Sequence, residues 1–276
     1  MKWSLAILGA AMTLALGATV SNAHDQAGHF KLNADGTRDC TRLLASGNPD
    51  YPPYLWVSED GKQLEGAAAD FLKRVGELAG VEIDIINAGN WGRVQQNMRE
   101  GTLDMIAGAF FTVPRLEYMD YFNPPFQGTR TVIWTRDNID IKYRDWADLR
   151  GLEGLTVINN SFGQAFDSYA AANLTITEVP NLAQGLGMLS RDRAEYLIYE
   201  EFPGKAFASR EGITNIRSYD NPVSEENLYL TMSHKSACNT GDLRGRITKA
   251  VFKLVIEKAM EDMLEASIQR WGNNTN

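Results

Sequence analysis

The sequence predicts an α/β fold built from two similar units, each with a mostly parallel sheet flanked by helices. Helical spacing of apolar residues over 66–79 is followed by a strand-like apolar run over 81–88, and the same alternation recurs after residue 154. Strands that alternate with helices form parallel sheets through right-handed crossovers. About 250 residues follow the N-terminal leader, a length that suits two domains better than one.

The first unit is predicted to contain three strands and two helices. A short strand over 41–46 leads into a turn-rich loop over 47–54, in which three prolines fix φ and stiffen the chain around Tyr51 and Tyr54. The first helix is amphipathic and ends at Gly80. The elements after the loop are a helix over 66–79, a strand over 81–88, a helix over 92–99 and a strand over 103–110.

The second unit repeats this order without any readable sequence period. An apolar strand over 130–136 leads out of the first unit and is a plausible hinge strand. The next elements are a short helical stretch over 146–152, strands over 155–159, 175–179 and 194–199, and helices over 164–172 and 182–189. A strand over 226–233 is expected to return to the first unit, and 241–271 is expected to form a helical tail.

The N-terminus predicts export. Lys2 is the only charge in residues 1–23, an apolar run follows it, and Ser21-Asn22-Ala23 fits the small-x-small cleavage rule. A membrane anchor would need about 20 consecutive apolar residues, so we expect a cleaved signal peptide over 1–23 and a periplasmic protein. Residues 24–39 are expected to be a loose leader.

That leader also contains histidine and aspartate side chains that could bind a metal ion, namely His24, Asp25 and His29. A solvated tail is the preferred interpretation, because further supporting ligands are lacking. The formal net charge is −8 and there is no basic stripe. This balance argues against nucleic acid and anionic lipid as partners.

The two cysteines, Cys40 and Cys238, are predicted to form a disulfide, because an isolated pair in an oxidising compartment favours one. Two buried free thiols are the alternative. A metal site is disfavoured because neither cysteine has a second ligand at C-x-x-C spacing.

A motif series in the first unit points to a known family. An aromatic residue, a helix, G-x-x-D, an apolar strand, T-x-x-R, an aromatic residue and a proline follow one another, carried by Trp91, Gly101, Asp104, Thr112, Arg115, Phe122 and Pro124. This order resembles that of the bacterial periplasmic solute-binding proteins of family 3, which bind polar amino acids for ABC transporters. The ending Gln269-Arg270-Trp271-Gly272 resembles the basic-Trp-aromatic-Gly ending of the family, with the aromatic residue absent.

The resemblance covers about residues 40–272 and implies a two-lobed periplasmic-binding-protein fold of type II, in which each lobe is a mostly parallel sheet flanked by helices and two hinge strands join the lobes. The implied boundaries are 40–133 and 223–276 for lobe 1 and 134–222 for lobe 2. Both cysteines would then belong to lobe 1, and their disulfide would not oppose closure of the lobes.

The resemblance also implies a binding site for a zwitterion. Arg115 would bind the ligand carboxylate, because a guanidinium matches a carboxylate with two parallel hydrogen bonds; the alternative is a surface arginine paired with Glu117 or Asp120. Glu200 would bind the ammonium group, although Glu201 competes for this role and a solvated acidic pair is also plausible.

The remaining implied contacts are aromatic or small. The rings of Trp91 and Tyr51 would sandwich the ligand side chain or lie beside its ammonium group. Tyr54 is the alternative to Tyr51, and a position in the core is the alternative for Trp91. Thr112 could add a hydroxyl and a backbone N–H, or simply cap a turn. The full set of implied ligand-binding residues is Tyr51, Tyr54, Trp91, Gly108, Phe110, Thr112, Arg115, Phe162, Gly163 and Glu200.

Two departures from the family pattern bear on the ligand. Phe110 stands where a Ser or Thr is common, and Ser161-Phe162-Gly163 replaces the usual G-S/T-T loop of lobe 2. The N–H groups at the start of the helix after that loop could still meet an anionic group. Because a phenylalanine stands at each of the two departures, an apolar or aromatic amino acid is expected as the ligand over a strongly polar one.

The sequence thus predicts a periplasmic solute-binding protein that captures a small carboxylate-bearing ligand and delivers it to an ABC permease. No nucleophile–base pair, metal cluster or phosphate loop is recognisable in it, so no catalytic residue and no cofactor is expected, and a monomer is expected. Some relatives of the family are periplasmic dehydratases that act on cyclic dicarboxylates such as prephenate, which makes an enzyme the second interpretation. A ligand-sensing partner of a membrane receptor is the third.

Overall fold

The computed structural model describes residues 38–273, which form one α/β body with thirteen strands and seven α-helices in this range. The strands are β1 (Arg42–Ser46), β2 (Asp50–Tyr51), β3 (Leu55–Val57), β4 (Leu64–Glu65), β5 (Glu82–Ile85), β6 (Met105–Ala109), β7 (Met119–Tyr121), β8 (Gln127–Arg136), β9 (Glu153–Val157), β10 (Thr175–Val179), β11 (Tyr196–Glu200), β12 (Ile216–Ser218) and β13 (Ser224–Ser233). The helices are α1 (Ala67–Ala79), α2 (Trp91–Glu100), α3 (Gln164–Asn173), α4 (Leu182–Ser190), α5 (Glu201–Arg210), α6 (Gly241–Ile256) and α7 (Ala259–Asn273), with 3-10 helices at Val113–Glu117 and Trp146–Leu149.

Two groups of parallel strands are joined by antiparallel strands into one ten-stranded sheet. The order is β10-β9-β11-β8-β13-β6-β1-β5, with β12 on β8 and β7 on β13, and β2-β3-β4 form a separate small sheet. In the first lobe β1 pairs in parallel with β5 and β6. In the second lobe β9 pairs in parallel with β10 and β11. The strand–helix alternation of the sequence therefore gives the predicted parallel sheets.

Strands β8 and β13 connect the lobes. They pair antiparallel with each other over Gln127–Thr131 and Ser224–Leu228. Beyond that stretch β8 pairs with β11 and β12 in the second lobe, whereas β13 pairs with β6 and β7 in the first. Strand β8 therefore leads the chain out of the first lobe, and β13 leads it back. The exact lobe boundaries given by the sequence remain a prediction.

Each sheet is covered by apolar side chains on both faces, as parallel sheets require. Helices α1 and α6 pack together over the first sheet through Phe71, Leu72, Ile247 and Val251. On the opposite face of the first sheet lies α2, and on the corresponding face of the second lies α3, each with its own apolar cluster.

Asp104 links several segments at the base of the first lobe. It is fully buried and accepts hydrogen bonds from the Arg38 guanidinium, the Leu44 N–H and the Ser236 hydroxyl. A buried carboxylate needs such partners to offset its lost hydration. Arg38, which falls within the predicted leader over 24–39, forms an ion pair with Asp104.

Cys40 and Cys238 form a disulfide, as predicted, across a sequence separation of 198 residues. Cys238 is fully buried in the core that α1 and α6 cover. The bridge therefore joins the start of β1 to the segment that follows β13.

Three sequence predictions differ from the structure. The predicted helical tail is two helices, because Lys258 takes a left-handed φ of 56° between α6 and α7. Helix α5 was not predicted, since Pro203 and Gly204 read as breakers; a proline in the first turn removes no intrahelical hydrogen bond. The loop over 47–54 contains β2 and leads into the small sheet.

Other predictions fall partly or wholly outside the described range. The signal peptide and the leader residues His24, Asp25 and His29 lie before residue 38. None of the helices between residues 38 and 273 combines the length and the hydrophobicity of a transmembrane span.

Trp271, near the end of α7, contacts both lobes. Its ring centroid lies 5.4 Å from that of Trp56 in the small sheet of the first lobe and 6.0 Å from that of Phe207 on α5 of the second lobe. The Arg210 guanidinium lies 5.2 Å from the Trp271 ring. On the same side of the molecule, the Tyr199 hydroxyl donates to the Asp50 carbonyl at 3.1 Å.

We expect replacement of both cysteines by serine to lower the free energy of unfolding by about 3–5 kcal/mol, because the bridge closes a very long loop in the unfolded chain. Urea denaturation of the two proteins measures this difference.

In the protein that keeps both cysteines, a thiol reagent applied under denaturing, non-reducing conditions should label neither of them. Quantitative labelling of both would contradict the bridge.

Candidate functional site

A cavity lies between the lobes, at the carboxyl ends of strands from both sheets. Ligands of open α/β sheets bind at this end of the strands. The lining residues are Asn48, Tyr51, Trp91, Gly108, Ala109, Phe110, Arg115, Asn160, Glu200 and Leu228. Six of the ten sequence-predicted residues are therefore brought together: Tyr51, Trp91, Gly108, Phe110, Arg115 and Glu200.

Arg115 extends into the cavity from the 3-10 helix that follows β6. It is 5% exposed, and its guanidinium donates to the Phe110 carbonyl at 3.1 Å and to the Asn159 carbonyl at 3.4 Å. The guanidinium carbon also lies 5.4 Å from the centre of the Trp91 ring. Since a guanidinium has five N–H donors, these two bonds leave donors for a ligand.

The alternative of a surface ion pair is wrong for Arg115. The side chain is buried, and Asp120 is instead bound by Arg244 and Asn239. Within residues 38–273, no salt bridge within 4.0 Å joins Arg115 to a carboxylate. The contacts of the Arg115 guanidinium therefore include two backbone carbonyls and the Trp91 ring, and its charge acts on Glu200 without a direct ion pair.

Glu200 lies at the end of β11, on the side of the cavity that the second lobe forms. It is 2% exposed, and burial raises the pKa of its carboxyl to about 8, against the smaller lowering effects of its own backbone N–H, the Arg115 charge and the Asn160 side chain. Its Oε2 atom has no hydrogen-bond partner among the described residues. A carboxyl in this state is mostly neutral at pH 7 and is available to a ligand.

Glu201, the competing acidic residue, points away from the cavity. Its carboxylate accepts hydrogen bonds from Arg130 at 2.9 Å and from Lys205 at 2.6 Å. The solvated ion-pair role therefore belongs to Glu201, whereas Glu200 is buried and unpaired.

Aromatic side chains form the walls of the site. Tyr51, Trp91 and Phe110 are all less than 7% exposed and line the cavity. Tyr54 packs behind Tyr51, with ring centroids 5.2 Å apart, and does not reach the lining. Of the two tyrosines, Tyr51 is thus the one that faces the cavity.

Three other predicted residues lie outside the lining. Thr112 is buried, and its carbonyl accepts the Arg115 and Leu116 N–H groups at the start of the 3-10 helix. Phe162 turns into the core beside Phe166, with ring centroids 6.0 Å apart. Gly163, with φ of 93°, precedes α3. A contact of these residues with a ligand remains untested.

The two asparagines of the lining were missed from the sequence. Asn48 follows β1, and its amide nitrogen donates to the Tyr199 hydroxyl at 2.9 Å. Asn160 follows β9, and its Nδ2 has no partner in the described part of the chain. Their position just after the carboxyl ends of parallel strands is the signal that could have found them.

The lobes touch directly around the cavity. Gln95 of α2 donates to the Asn159 carbonyl at 2.9 Å, and the Val113 N–H donates to the Gln164 side-chain oxygen at 3.0 Å. The structure is therefore a closed arrangement of the two lobes.

No group of three or more His, Cys, Asp or Glu side chains within the described range could hold a metal ion. The chemistry that the site offers is one buried cation and one buried carboxyl, facing each other in an aromatic cavity. Such a site can hold a small zwitterion.

The chain is a member of a solute-binding family. Residues 43–273 match the bacterial extracellular solute-binding proteins, family 3, and the chain belongs to this family. No curated protein sequence gives a significant match.

Solved structures share the fold. A mutant of ArgBP from T. maritima aligns with a TM-score of 0.67 and 18% identity over 83% of this chain and 96% of that chain. The substrate-binding protein AbpA of an amino acid ABC transporter from Streptococcus pneumoniae, bound to L-arginine, aligns at 0.68 and 17% over 84% and 96%. A histidine kinase sensor domain with similarity to periplasmic binding proteins aligns at 0.65 and 19% over 83% and 95%. The predicted two-lobed periplasmic-binding-protein fold is confirmed.

We expect the ligand-free protein to lose stability as pH rises from about 4.5 to 8. The folded state keeps the Glu200 proton in this window while the unfolded state releases it, so the free energy of unfolding falls with pH. Burial raises the pKa values of Asp50 and Glu226 as well, which adds to the fall.

Glu200→Gln should therefore melt at a higher temperature than the native protein at pH 8 and show a smaller fall between pH 5 and pH 8, whereas Glu201→Gln should keep the native fall. Thermal denaturation at the two pH values measures both. An unchanged pH dependence in Glu200→Gln would contradict the raised pKa.

Proposed function

We propose that this protein captures an α-amino acid between its two lobes, with the carboxylate on Arg115 and the ammonium group on Glu200. The observation that carries the proposal is the pairing of these two side chains in one closed cavity, each buried and neither neutralised by a protein counter-ion within hydrogen-bonding distance. A zwitterion supplies both missing partners at once.

Arg115 is the donor for the carboxylate end, since it can present parallel N–H groups to the two carboxylate oxygens. Asn160 lies in the same lining, and its side chain acts on the pKa of Glu200, so it lies close to that carboxyl. A ligand that contacts both Arg115 and Asn160 would tie the first lobe to the second.

The ammonium end involves a change of charge. Glu200 is mostly protonated in the empty cavity, and a ligand ammonium favours its ionised form. Binding would therefore release a proton near neutral pH, and the resulting ion pair would be shielded from water. Such charge-assisted hydrogen bonds are the stronger kind.

The walls favour an apolar or aromatic ligand side chain. Tyr51, Trp91, Phe110 and Leu228 supply most of the apolar lining, and ligand sites of this type use such walls for affinity and a few polar groups for orientation.

Delivery to a membrane partner is the expected next step. Strands β8 and β13 are the only connections that cross between the lobe sheets within residues 38–273, so they are suited to act as a hinge whose closure depends on ligand. An ABC permease is the proposed partner and the periplasm the proposed location, in line with the family and with the transporter protein of similar fold. A membrane receptor is the alternative, in line with the sensor domain of similar fold.

An enzyme is the second candidate, and Glu200 is the observation that favours it. A buried carboxyl that remains protonated near neutral pH can act as a general acid, as a dehydratase would need. Incubation of the protein with prephenate tests this directly. Loss of prephenate that disappears in Glu200→Gln would establish the enzyme, and unchanged prephenate would exclude this substrate.

A thermal-shift and calorimetric screen against the common amino acids tests the proposed function. We expect at least one to bind, and Arg115→Ala to weaken it by at least about 30-fold, since truncating one partner of a buried charge pair costs about 2–5 kcal/mol. Arg115→Lys should bind with intermediate affinity, because lysine keeps the charge but loses the planar fork.

Arg74→Ala serves as the control, since Arg74 is an exposed arginine of α1 that pairs with Glu77. Its affinity should equal that of the native protein. Native affinity in a folded Arg115→Ala variant would refute the assignment of Arg115. Absence of binding by every amino acid in the screen would refute the proposal that the ligand is an amino acid.

A further inference from the structure

The Tyr199 side chain of the second lobe contacts a loop of the first lobe beside the cavity. Tyr199 lies on β11, one residue before Glu200, and is fully buried. Its hydroxyl accepts the side-chain N–H of Asn48 at 2.9 Å and donates to the Asp50 carbonyl at 3.1 Å. Its ring packs edge-on against Tyr51, with ring centroids 6.5 Å apart. One side chain of the second lobe therefore contacts three residues of the 48–51 loop.

A further hydrogen bond joins this loop to the second lobe. The Asp50 carboxylate accepts the N–H of Leu182, the first residue of α4, at 3.4 Å. Within the loop, the Asn48 side-chain oxygen accepts the Asp50 N–H at 3.1 Å. Asn48 and Tyr51 both line the cavity. The position of two lining residues thus depends on contacts that cross from one lobe to the other.

These contacts can form only while the lobes are together. The 48–51 loop belongs to the first lobe, whereas Tyr199 and Leu182 belong to the second, so separation of the lobes would break all three hydrogen bonds. A buried polar group that is left without a partner is costly. Because the loop supplies both hydrogen-bond partners of the Tyr199 hydroxyl, closure of the lobes is what satisfies this buried group.

We propose that the Tyr199 hydroxyl is an interlobe lock, which holds the 48–51 loop against the second lobe, favours the closed arrangement with or without ligand, and slows ligand release. Tyr199 is not among the lining residues of the cavity, so it is a positioning residue that acts through Asn48 and Tyr51. Only its effect on ligand release rests on the proposed function. The apparent affinity of a ligand that binds the closed form rises with the closed population.

The simpler alternative is that Tyr199 only fills the core of the second lobe. Tyr196, three residues earlier on β11, is the matched control: it is fully buried as well, and its hydroxyl has no hydrogen-bond partner among residues 38–273. Tyr199→Phe removes a hydroxyl that joins the lobes, whereas Tyr196→Phe removes one that does not. Both variants keep the aromatic ring and its packing.

The first test needs no ligand. Spin labels at Lys73→Cys in α1 and Ala172→Cys in α3, two exposed positions in different lobes, report the distance between the lobes by double electron–electron resonance. Tyr199→Phe should lower the ratio of closed to open molecules about tenfold, because two hydrogen bonds between the lobes are lost. Tyr196→Phe should leave this ratio unchanged. An unchanged ratio in Tyr199→Phe, or an equal fall in Tyr196→Phe, would overturn the proposal.

The second test follows the release of each common amino acid that binds the native protein. In stopped-flow measurements, Tyr199→Phe should raise the dissociation rate about tenfold, because the loss of two hydrogen bonds weakens the closed complex. The association rate should not fall, since ligand enters the open form. Tyr196→Phe should keep both native rates. A native dissociation rate in Tyr199→Phe would overturn the lock.

The two tests separate this inference from the proposed function. A shift of the ligand-free distances in Tyr199→Phe, together with a native protein that binds no amino acid, would retain the lock and reject the proposed function. Amino acid binding by the native protein, together with unchanged distances in Tyr199→Phe, would retain the proposed function and reject the lock.

Discussion

The adjacent strands β8 and β13 impose the constraint on which the rest of the molecule depends. They pair with each other only over Gln127–Thr131 and Ser224–Leu228 and then diverge into different sheets. The strands that β8 joins beyond this stretch, β11 and β12, lie between the two in the sequence, whereas the strands that β13 joins, β6 and β7, lie before them. This arrangement turns the carboxyl ends of both parallel sheets toward one cavity, so that an arginine after β6 and a glutamate at the end of β11 can meet across it.

The cost of this arrangement falls on Glu200. A carboxyl removed from water and left with an unpartnered oxygen disfavours its own ionisation, and the protein tolerates this by keeping the proton. The nearby charge of Arg115 reduces that cost without removing it. The proposed ammonium partner would favour the ionised form of Glu200. Under the proposed function, stability and ligand binding would therefore be linked through the same carboxyl group.

The elements that the sequence predicted well are those with a clear apolar period and a clear end. Strand β10 and the start of α3 agree with the prediction, because Pro180 follows the first and Gly163 precedes the second. Helix α5 was missed because Pro203 and Gly204 hide it, and a two-residue strand such as β2 has no period at all. These elements form through contacts with the rest of the fold rather than through local preference.

The site shows the same division. Arg115, Glu200 and Trp91 could be found because each stands at a position of the family pattern that the sequence resembles. Asn48 and Asn160 carry no such signal, since asparagine is also common in turns. Phe162 was expected in the pocket, but the ring packs against Phe166, four residues later, in the core. Which face a loop side chain takes is decided by packing that a single sequence does not reveal.

Trp271 has a practical consequence for watching this molecule at work. The indole lies between Trp56 of one lobe and Phe207 of the other, with Arg210 close to its face. The emission of an indole depends on nearby charge, on other indoles and on water, and all three would change together if the lobes separated. The native chain therefore contains an intrinsic fluorophore at the junction of the lobes, and opening and closing can be followed in time with no dye attached.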